Sequence, residues 1–470
     1  MKRPKQQSDL GMPFGDGKGK AYARSYRAGG SGARTQKSKI LSTNDFRPSE
    51  ASSNDEKFEA ARIAHGIDES MGFERYEAGP KKTGWLCNMH STTLEVENVN
   101  GGKAGVDFYF IDDDGGSFKA TLVYDPYFLI ACRLGTEGDV EEWCRRKFEG
   151  VVKGMTRLTK EDLQMPNHLL GYRRSFLHLS FWNVNDLLSV RRVLMPIAEK
   201  NKSKMSAMDT YAEVASAGAG FSIYDEEMQQ ESNHRQNTDV SDYIVDIREY
   251  DVPYHVRVSI DKDIRIGKWY TVEAKHGIIS MTCIADRLQR ADPVVLAYDI
   301  ETTKLPLKFP DAAFDQIMMI SYMIDGEGFL LTNREIISED ISDFDYTPKP
   351  EYEGPFSIFN EPDERAVIER FFQHIKDARP TVIATYNGDF FDWPFVEARA
   401  SILGIDMYRE IGFRKNSEGV YYSDYCVHMD CFSWVKRDSY LPQGSQGLKA
   451  VTKSKLGYDP DELDPELMTL

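Results

Sequence analysis

Three acidic side chains follow two predicted strands of this chain and could hold divalent metal ions. Asp299 and Glu301 end the apolar run that begins at Val294, and residues two apart on a strand face the same side. Asp392 follows a second apolar run, after a turn that contains Asn387. Clustered carboxylates repel one another until a cation binds, and their oxygens suit Mg²⁺ or Mn²⁺. The residues therefore predict a two-metal site that activates a water to cut a phosphodiester bond.

Each half of this pattern also has an ordinary structural explanation. An Asp-x-Glu after a strand is common, and Asp392 could simply cap the helix whose first turn contains Pro394. However, the two acidic sites occur in this order with a strand–helix–strand segment between them. That conjunction favours the catalytic interpretation over two unrelated local features.

The strands and helix predicted around these acids indicate the fold of residues 286–470. A meander of three strands is expected between residues 294 and 332. An amphipathic helix over 363–376 and a strand over 381–386 then make a crossover. A meander followed by a crossover, with acids at the strand ends, predicts an α/β ribonuclease-H-like exonuclease core with a mixed sheet.

Upstream of this core, residues 56–285 predict an α+β domain with several strands and at least two helices. Within it, Asn185 is expected to cap a helix that runs to about Lys200 and is kinked or ended by Pro196. The segment His255–Ile260 has the character of a strand.

Residues 1–55 are rich in Gly, Ser, Lys and Arg and predict a disordered tail that is basic up to about Lys39. The basic cluster could be a nuclear-import signal, a loose DNA tether or a merely solvated segment. No secretory signal and no transmembrane run is present, so no membrane association is expected.

The composition limits the remaining possibilities. A length of 470 residues predicts two or three domains. Six scattered cysteines without a Cys-x-x-Cys disfavour disulfides and a zinc ribbon, and they fit a reducing compartment. The formal net charge of −17 does not attract nucleic acid, so any DNA contact must come from local basic surface or from bound metal.

Three segments resemble the exonuclease motifs of the family B DNA polymerases. Tyr298–Pro310 resembles the first motif, Tyr386–Phe395 the second, and Ser439–Thr452 the segment that leads to the third. Two upstream segments, 82–86 and 242–254, also resemble that family, so the resemblance covers nearly the whole chain after the tail. It implies a replicative DNA-directed DNA polymerase with a 3′–5′ proofreading exonuclease.

The resemblance also implies roles for particular residues and groups. Asp299, Glu301 and Asp392 match three of four metal-binding acids, with Glu301 on the side of the nucleophile, whereas Asp389 is assigned a local role in a turn or surface contact. Mg²⁺ or Mn²⁺ is implied at this site. A 4Fe–4S cluster and zinc on cysteines outside this chain, accessory polymerase subunits and a nuclear location are implied for the full-length protein.

Five further residues are candidate contacts for single-stranded DNA at a primer 3′ end: Asn387, Phe391, Pro310, Lys449 and Lys453. Phe391 could stack on a frayed base or pack in the core. Lys449 and Lys453 lie one helical turn apart and could contact phosphates, although a solvated helix face would look the same. Asn387 could touch the terminal nucleotide or brace its loop, and Pro310 could line the channel or stiffen a loop.

The third motif of the family supplies the fourth acid from a Tyr-x-x-x-Asp helix, and this motif does not follow Leu448 in the sequence. Tyr458 and Asp459 are adjacent and do not match it. The polymerase palm is also missing, so we expect a truncated polymerase. Two alternatives stay open: a free-standing ribonuclease-H-like exonuclease that acts on DNA or RNA, and a non-catalytic module that binds nucleic acid or a replication partner.

A polypeptide with this sequence is expected to bind divalent metal weakly and to degrade single-stranded DNA little or not at all. One ion of a two-metal site lacks a ligand when only three acids are present. The measurement is the release of nucleotides from a 3′-labelled oligonucleotide in Mg²⁺. Robust release that Asp299→Ala abolishes would contradict this expectation.

Overall fold

The computed structural model describes residues 54–460, with gaps at 97–98, 100, 164–170, 172, 219–238, 352–353 and 443. The disordered tail predicted for residues 1–55 lies outside the described residues, apart from its last two, which begin the first helix. In the part of the chain that the structure describes, no helix has the length and apolar character needed to cross a membrane.

The first half of the described chain forms two antiparallel sheets with flanking helices. Its elements are, in chain order, α1 (Asn54–Ser70), β1 (Lys82–Leu94), β2 (Lys103–Asp112), β3 (Ser117–Val123), β4 (Tyr127–Cys132), α2 (Glu137–Lys147), β5 (Val152–Glu161), β6 (Arg173–Phe181), α3 (Val184–Gly218), β7 (Ile244–Arg248), α4 (Tyr254–Asp261), β8 (Trp269–Lys275) and β9 (Ile278–Cys283). One sheet has the order β3-β2-β1-β8-β9 and the other the order β5-β6-β4-β7. In the second sheet, alternate residues of β4 such as Phe128 and Ile130 are buried in one core with residues of α2 and α3.

Three local predictions for this half are wrong. Asn185 does not cap α3, because the helix begins at Val184 and the side chain of Asn183 accepts the N–H of Asp186 at 2.9 Å. The segment predicted as a strand at His255–Ile260 is part of helix α4, in which Tyr254 and Val258 are buried four residues apart. The helix expected to end near Lys200 continues through Pro196 to Gly218. Leu194 and Ala198 are both buried on the same side of α3, so packing against the sheet holds the helix together across the proline.

The second half of the described chain builds the sheet that carries the acids. Its elements are β10 (Val295–Thr302), β11 (Ile317–Ile324), β12 (Glu327–Asn333), β13 (Phe344–Tyr346), β14 (Gly354–Glu361), α5 (Glu364–Ala378), β15 (Val382–Thr385), α6 (Asp392–Ile402), α7 (Met407–Ile411), β16 (Arg414–Lys415), β17 (Tyr421–Tyr422), β18 (Val427–Asp430), α8 (Cys431–Asp438) and α9 (Leu448–Val451). The strand order is β13-β14-β12-β11-β10-β15-β18. β10 is antiparallel to β11 and parallel to β15, so the predicted mixed sheet is confirmed.

Helix α5 covers one face of this sheet, as its apolar stripe predicts. The Asp363 side chain caps the helix by accepting the Ala366 N–H at 2.8 Å. Phe371 on the buried stripe contacts Tyr298 of β10, with the ring centroids 5.1 Å apart. Helix α5 therefore packs against one face of β10, and the acids lie on the opposite face of that strand.

One continuous core joins the first sheet to the acid-bearing sheet. It includes Ile67 and Met71 of α1, Tyr109 of β2 and Leu296 of β10. Beside it, the fully buried Lys119 ammonium donates to Asp68 at 2.7 Å and to Asp107 at 3.4 Å. The ion cluster thus ties α1 to the first sheet at the edge of the shared core.

Lys119→Met is expected to lower the free energy of unfolding by about 3–5 kcal/mol, because it leaves Asp68 buried without its cation and leaves Asp107 with only the Arg75 guanidinium at 3.8 Å. Urea denaturation followed by circular dichroism measures the change. Lys202→Met is the matched control, since Lys202 pairs with Asp246 while its own side chain is 64% exposed, and its loss should cost less than about 1 kcal/mol. Equal losses for the two variants would contradict the expectation.

Candidate metal centre

Strand β10 extends beyond its parallel neighbour, and this opens the sheet beside the acids. β15 pairs with β10 only from Val295 to Ala297, and the chain leaves the sheet after Thr385. The N–H of Ile300, three residues further along β10, is therefore available to a side chain. Oδ1 of Asp392 accepts it at 3.2 Å. The third acid thus reaches the strand segment that carries the other two.

The alternation of β10 separates its core residues from its acids. Leu296, Tyr298 and Ile300 are buried, whereas Asp299 is exposed and Glu301 half-buried. The two acids occupy alternate positions and so lie on the opposite face, as residues two apart on a strand should. The predicted common orientation of this pair is therefore present in the structure.

Asp392 is the first residue of α6 and is 1% exposed. The next residue, Trp393, is fully buried and stacks on Phe413 with the ring centroids 4.3 Å apart. Trp393 also meets Tyr298 edge to face at 4.9 Å. These aromatic contacts hold the start of α6 against β10, so the position of Asp392 depends on the packing of its neighbour.

The carboxylates are crowded enough to change their acidity. Burial, and then the charge of Asp299, raise the pKa of Asp392 to about 8. Desolvation of the Asp299 carboxylate raises its pKa, even though the residue reaches solvent. The hydrogen bond between Asp299 and Asp392 lowers the pKa of Asp299. Burial and the charge of Asp299 also raise the pKa of Glu301. Near neutral pH, Asp299 and Asp392 therefore retain a proton between them.

The donor set fits a hard divalent cation, although the side chains do not form a closed cage. In the described residues, no three His, Cys, Asp or Glu side chains stand close enough together to hold a metal ion as they are arranged. The carboxyl groups of Asp299 and Asp392 already share a hydrogen bond. A cation could replace the shared proton, with Asp299, Asp392 and Glu301 as oxygen ligands.

The turn before α6 is braced by Asp430, which the sequence interpretation did not single out. Its carboxylate accepts the N–H of Asn387 at 2.8 Å and that of Asp389 at 3.4 Å, and it caps α8 through the N–H of Phe432 at 3.0 Å. Asn387 has a φ of +67°, in the left-handed region that asparagine tolerates better than most non-glycine residues. The sequence gives only one indication of this role: Asp430 lies between a strand and a helix, which is also the place of an ordinary N-cap.

Asp389 has a local contact of the kind expected for it. Its Oδ1 accepts the N–H of Tyr421 at 2.7 Å. His428 lies beneath the same turn, where Nε2 accepts from the indole N–H of Trp393 at 3.1 Å and Nδ1 donates to the carbonyl of Tyr421 at 2.9 Å. Because an indole nitrogen only donates, His428 is the neutral Nδ1–H tautomer. No sequence pattern marked this histidine.

The candidate DNA contacts fall into two groups. Phe391 lies next to Asp392 and meets Phe309 edge to face, with the ring centroids 5.6 Å apart, and the adjacent Pro310 is half-buried. Lys453 pairs with Asp459 at 2.8 Å, and Lys449 lies 3.9 Å from the other oxygen of that carboxylate. The structure thus places Phe391 next to Asp392, with Phe309 of the neighbouring loop against it, whereas both lysines already have an acidic neighbour.

Comparisons with known proteins agree with this arrangement. Residues 245–451 match the model of the DNA polymerase family B exonuclease domain. The chain is 70% identical over 448 residues to the DNA polymerase epsilon catalytic subunit of Aspergillus fumigatus, in a match that covers 95% of this chain and 20% of that protein. It is 54% identical over 436 residues to the corresponding protein of Saccharomyces cerevisiae, in a match that covers 86% of this chain and 19% of that protein. Over most of its length, the chain is therefore similar to the DNA polymerase epsilon catalytic subunits, and its residues 245–451 have the pattern of a family B exonuclease domain.

A solved structure shares the fold. The family B DNA polymerase of the archaeon Pyrobaculum calidifontis superposes with a TM-score of 0.53 at 18% identity, and the match covers 79% of this chain and 39% of that one. Both kinds of comparison reach only part of the other protein's length. The chain spans about a fifth of the length of the curated relatives that it matches.

Mn²⁺ affinity is expected to rise with pH between about 6 and 8, by up to about ten-fold per pH unit, because the cation must displace a proton. The direction follows from the raised pKa of Asp392: at lower pH the carboxylate holds the competing proton, and at higher pH it does not. Calorimetry in buffers of different ionisation heat measures both affinity and released protons. Asp345→Ala, an exposed acid of the same sheet, should leave the profile unchanged, and a flat profile in the unsubstituted chain would contradict the expectation.

Proposed function

Because this chain carries the exonuclease domain of a family B DNA polymerase, we propose that its acids form the 3′–5′ proofreading site of a replicative DNA polymerase of the epsilon type. The resemblance to the family B polymerases predicted from three motifs is confirmed. The observation that carries the proposed site is the hydrogen bond from the Ile300 N–H to Asp392, which brings the third acid to the strand of the other two.

Each acid has a distinct place in the proposed site. Asp299 and Asp392 would hold a divalent ion, and Glu301 would add a ligand on the side of the nucleophile. Mg²⁺ or Mn²⁺ bound there supplies an activated water and stabilises the leaving oxygen.

The proposed core is ribonuclease-H-like. Its central strands follow the order β12-β11-β10-β15-β18, in which the first three are antiparallel and the last three parallel. This arrangement sends the ends of β10, β15 and β18 to one edge of the sheet. Support for the proposal comes from the acids at that edge, with α5 as the crossover between the two halves.

The proposed substrate is the single-stranded 3′ end of a DNA primer. The half-buried Phe391 and the neighbouring Phe309, which is 70% exposed, offer aromatic surface on which a base could stack. Pro310 would stiffen the segment that carries Phe309, and Asn387 would contact the terminal nucleotide from the turn before α6. Lys449 and Lys453 would exchange the Asp459 carboxylate for DNA phosphates. A chain with a net charge of −17 needs such local contacts to bind a polyanion.

A second candidate, a non-catalytic module that binds nucleic acid, is favoured by one observation. In the described part of the chain, the acids are not gathered closely enough to hold a metal as they stand. In this alternative, Asp392 would serve only to satisfy the Ile300 N–H and to begin α6.

Other properties of the whole polymerase are proposals, since the chain covers about a fifth of its relatives. DNA synthesis, accessory subunits, a 4Fe–4S cluster, zinc and a nuclear location belong to this group. The six cysteines of this chain are all free thiols, and four of them are buried. The family resemblance implies that the metal-binding cysteines lie in other parts of such a protein.

Extending the chain after Leu470 with a helix that carries the Tyr-x-x-x-Asp motif implied by the family resemblance should turn it into a Mg²⁺-dependent 3′–5′ exonuclease, because the helix would supply a fourth acid. The measurement is mononucleotide release from a 3′-labelled single strand. Asp392→Ala in the extended chain should return release to background, whereas Asp345→Ala should not. An extended chain that binds the strand but releases nothing would favour the non-catalytic module.

A further inference from the structure

Helix α6 carries a second buried charged residue on the same side as Asp392. Arg399 lies seven residues further along, which is two helical turns. Its Nε and Nη2 donate to Oε1 and Oε2 of Glu364 at 2.8 and 2.5 Å. The two side chains are only 6% and 3% exposed. The helix that presents the third acid is thus fixed to the start of α5 by a buried two-bond ion pair.

This pair also reaches the connection between β10 and β11. Nη1 of Arg399 donates to the carbonyl of Ala312 at 3.1 Å, and Oε1 of Glu364 accepts the N–H of Ile317 at 2.8 Å. One contact lies within the connection and the other at its return into the sheet. The ion pair therefore joins α6, α5 and the connecting loop at one buried point.

The loop over residues 303–316 begins two residues after Glu301. Its neck is closed by the Thr303 N–H donating to the carbonyl of Gln316 at 2.9 Å, and by the Gln316 N–H donating to Oγ1 of Thr303 at 2.9 Å. Beyond the neck, Leu307 has a φ of +58° and is 95% exposed, and Phe309 is 70% exposed. A loop that exposes large apolar side chains needs a support outside itself to keep one position.

Stability alone does not account for a buried ion pair of this kind. Desolvation of the two charges offsets much of their attraction, and apolar residues of similar volume often stabilise a protein as well. Apolar residues, however, cannot form directional hydrogen bonds. Arg399 has a planar fork whose donors point at Glu364 and at the Ala312 carbonyl together. The pair therefore specifies where the loop lies relative to α6.

We propose that Glu364 and Arg399 are a positioning pair that fixes the 303–316 loop relative to Asp392, and that the loop so placed holds the single-stranded 3′ end at the acids. The second part rests on the proposed exonuclease function. The contact between Phe309 of the loop and Phe391 beside Asp392 makes the connection between them. Neither residue of the pair touches the substrate, so each acts through the loop.

Arg399→Lys separates this role from a general loss of structure. Lysine keeps the charge and can reach Glu364, but it cannot bond both carboxylate oxygens and the Ala312 carbonyl at once. Loop amides 304–314 are expected to exchange hydrogen about ten-fold faster, while those of β10 and β11 keep their rates. Affinity for a fluorescent 12-nucleotide oligo-dT in Ca²⁺ should fall about three- to ten-fold. Mn²⁺ affinity should stay unchanged, since the three acids are untouched.

Arg334→Lys is the matched control. Nε and Nη2 of Arg334 donate to the two oxygens of Asp340 at 2.7 Å each, with side chains 50% and 58% exposed. Arg334 and Asp340 thus form the same kind of two-bond ion pair near the same sheet, without a contact to the 303–316 loop. This variant should change neither loop exchange nor oligonucleotide affinity. Glu364→Gln, which keeps the acceptor for Ile317, should reproduce the loop-specific pattern of Arg399→Lys.

Two outcomes would overturn the positioning role. Unchanged loop exchange in Arg399→Lys would show that the loop is held elsewhere. A uniform rise in exchange, with Mn²⁺ and DNA affinity falling together, would reveal a general structural role. Failure of the proposed function has a different signature: the unsubstituted chain would bind neither Mn²⁺ nor the oligonucleotide. In that case the loop-specific exchange in Arg399→Lys still decides whether the pair anchors the loop.

Discussion

The acidic site depends on one hydrogen bond that exists because two neighbouring strands differ in length. β15 pairs with β10 for three residues and then turns away, which leaves the N–H of Ile300 without a strand partner. A buried N–H must be satisfied, and Asp392 accepts it. The same geometry that satisfies the backbone brings a third carboxylate to Asp299 and Glu301. Burial, and then repulsion by Asp299, raise the pKa of Asp392 and prepare the group to exchange a proton for a cation.

The residues around this bond leave little freedom in the turn that leads to Asp392. A Cβ added to Gly388 would lie 2.3 Å from Oγ1 of Thr385, so only glycine fits there. Asp430 holds the turn from one side, and His428 holds Trp393 from below. A carboxylate site needs such support, because small displacements of a ligand weaken a metal site. The closely packed turn and Trp393 therefore hold Asp392 beside a carboxylate that repels it.

The Glu364–Arg399 pair extends this support to the loop after β10. Helix α6 has Asp392 at its first residue and Arg399 two turns later, so one rigid element connects the acids with the loop anchor. The core shared by α1, the first sheet and β10 holds the other side of the acid-bearing sheet. The exonuclease region is therefore not packed independently of the N-terminal sheet, and changes in either are expected to reach the other through the buried residues they share.

Local patterns in the sequence determined the features that depend on near neighbours. The period of two in β10 placed Asp299 and Glu301 on one face, the apolar stripe of α5 gave its buried side, and the motifs gave the family. Tertiary structure decided what depends on distant partners: Asp392 with Ile300, Arg399 with Glu364, and Lys453 with Asp459. Packing also overrode local signals in α3 and α4. A sequence window records which side chains can bond or pack, whereas the partner they find is fixed only when the chain folds.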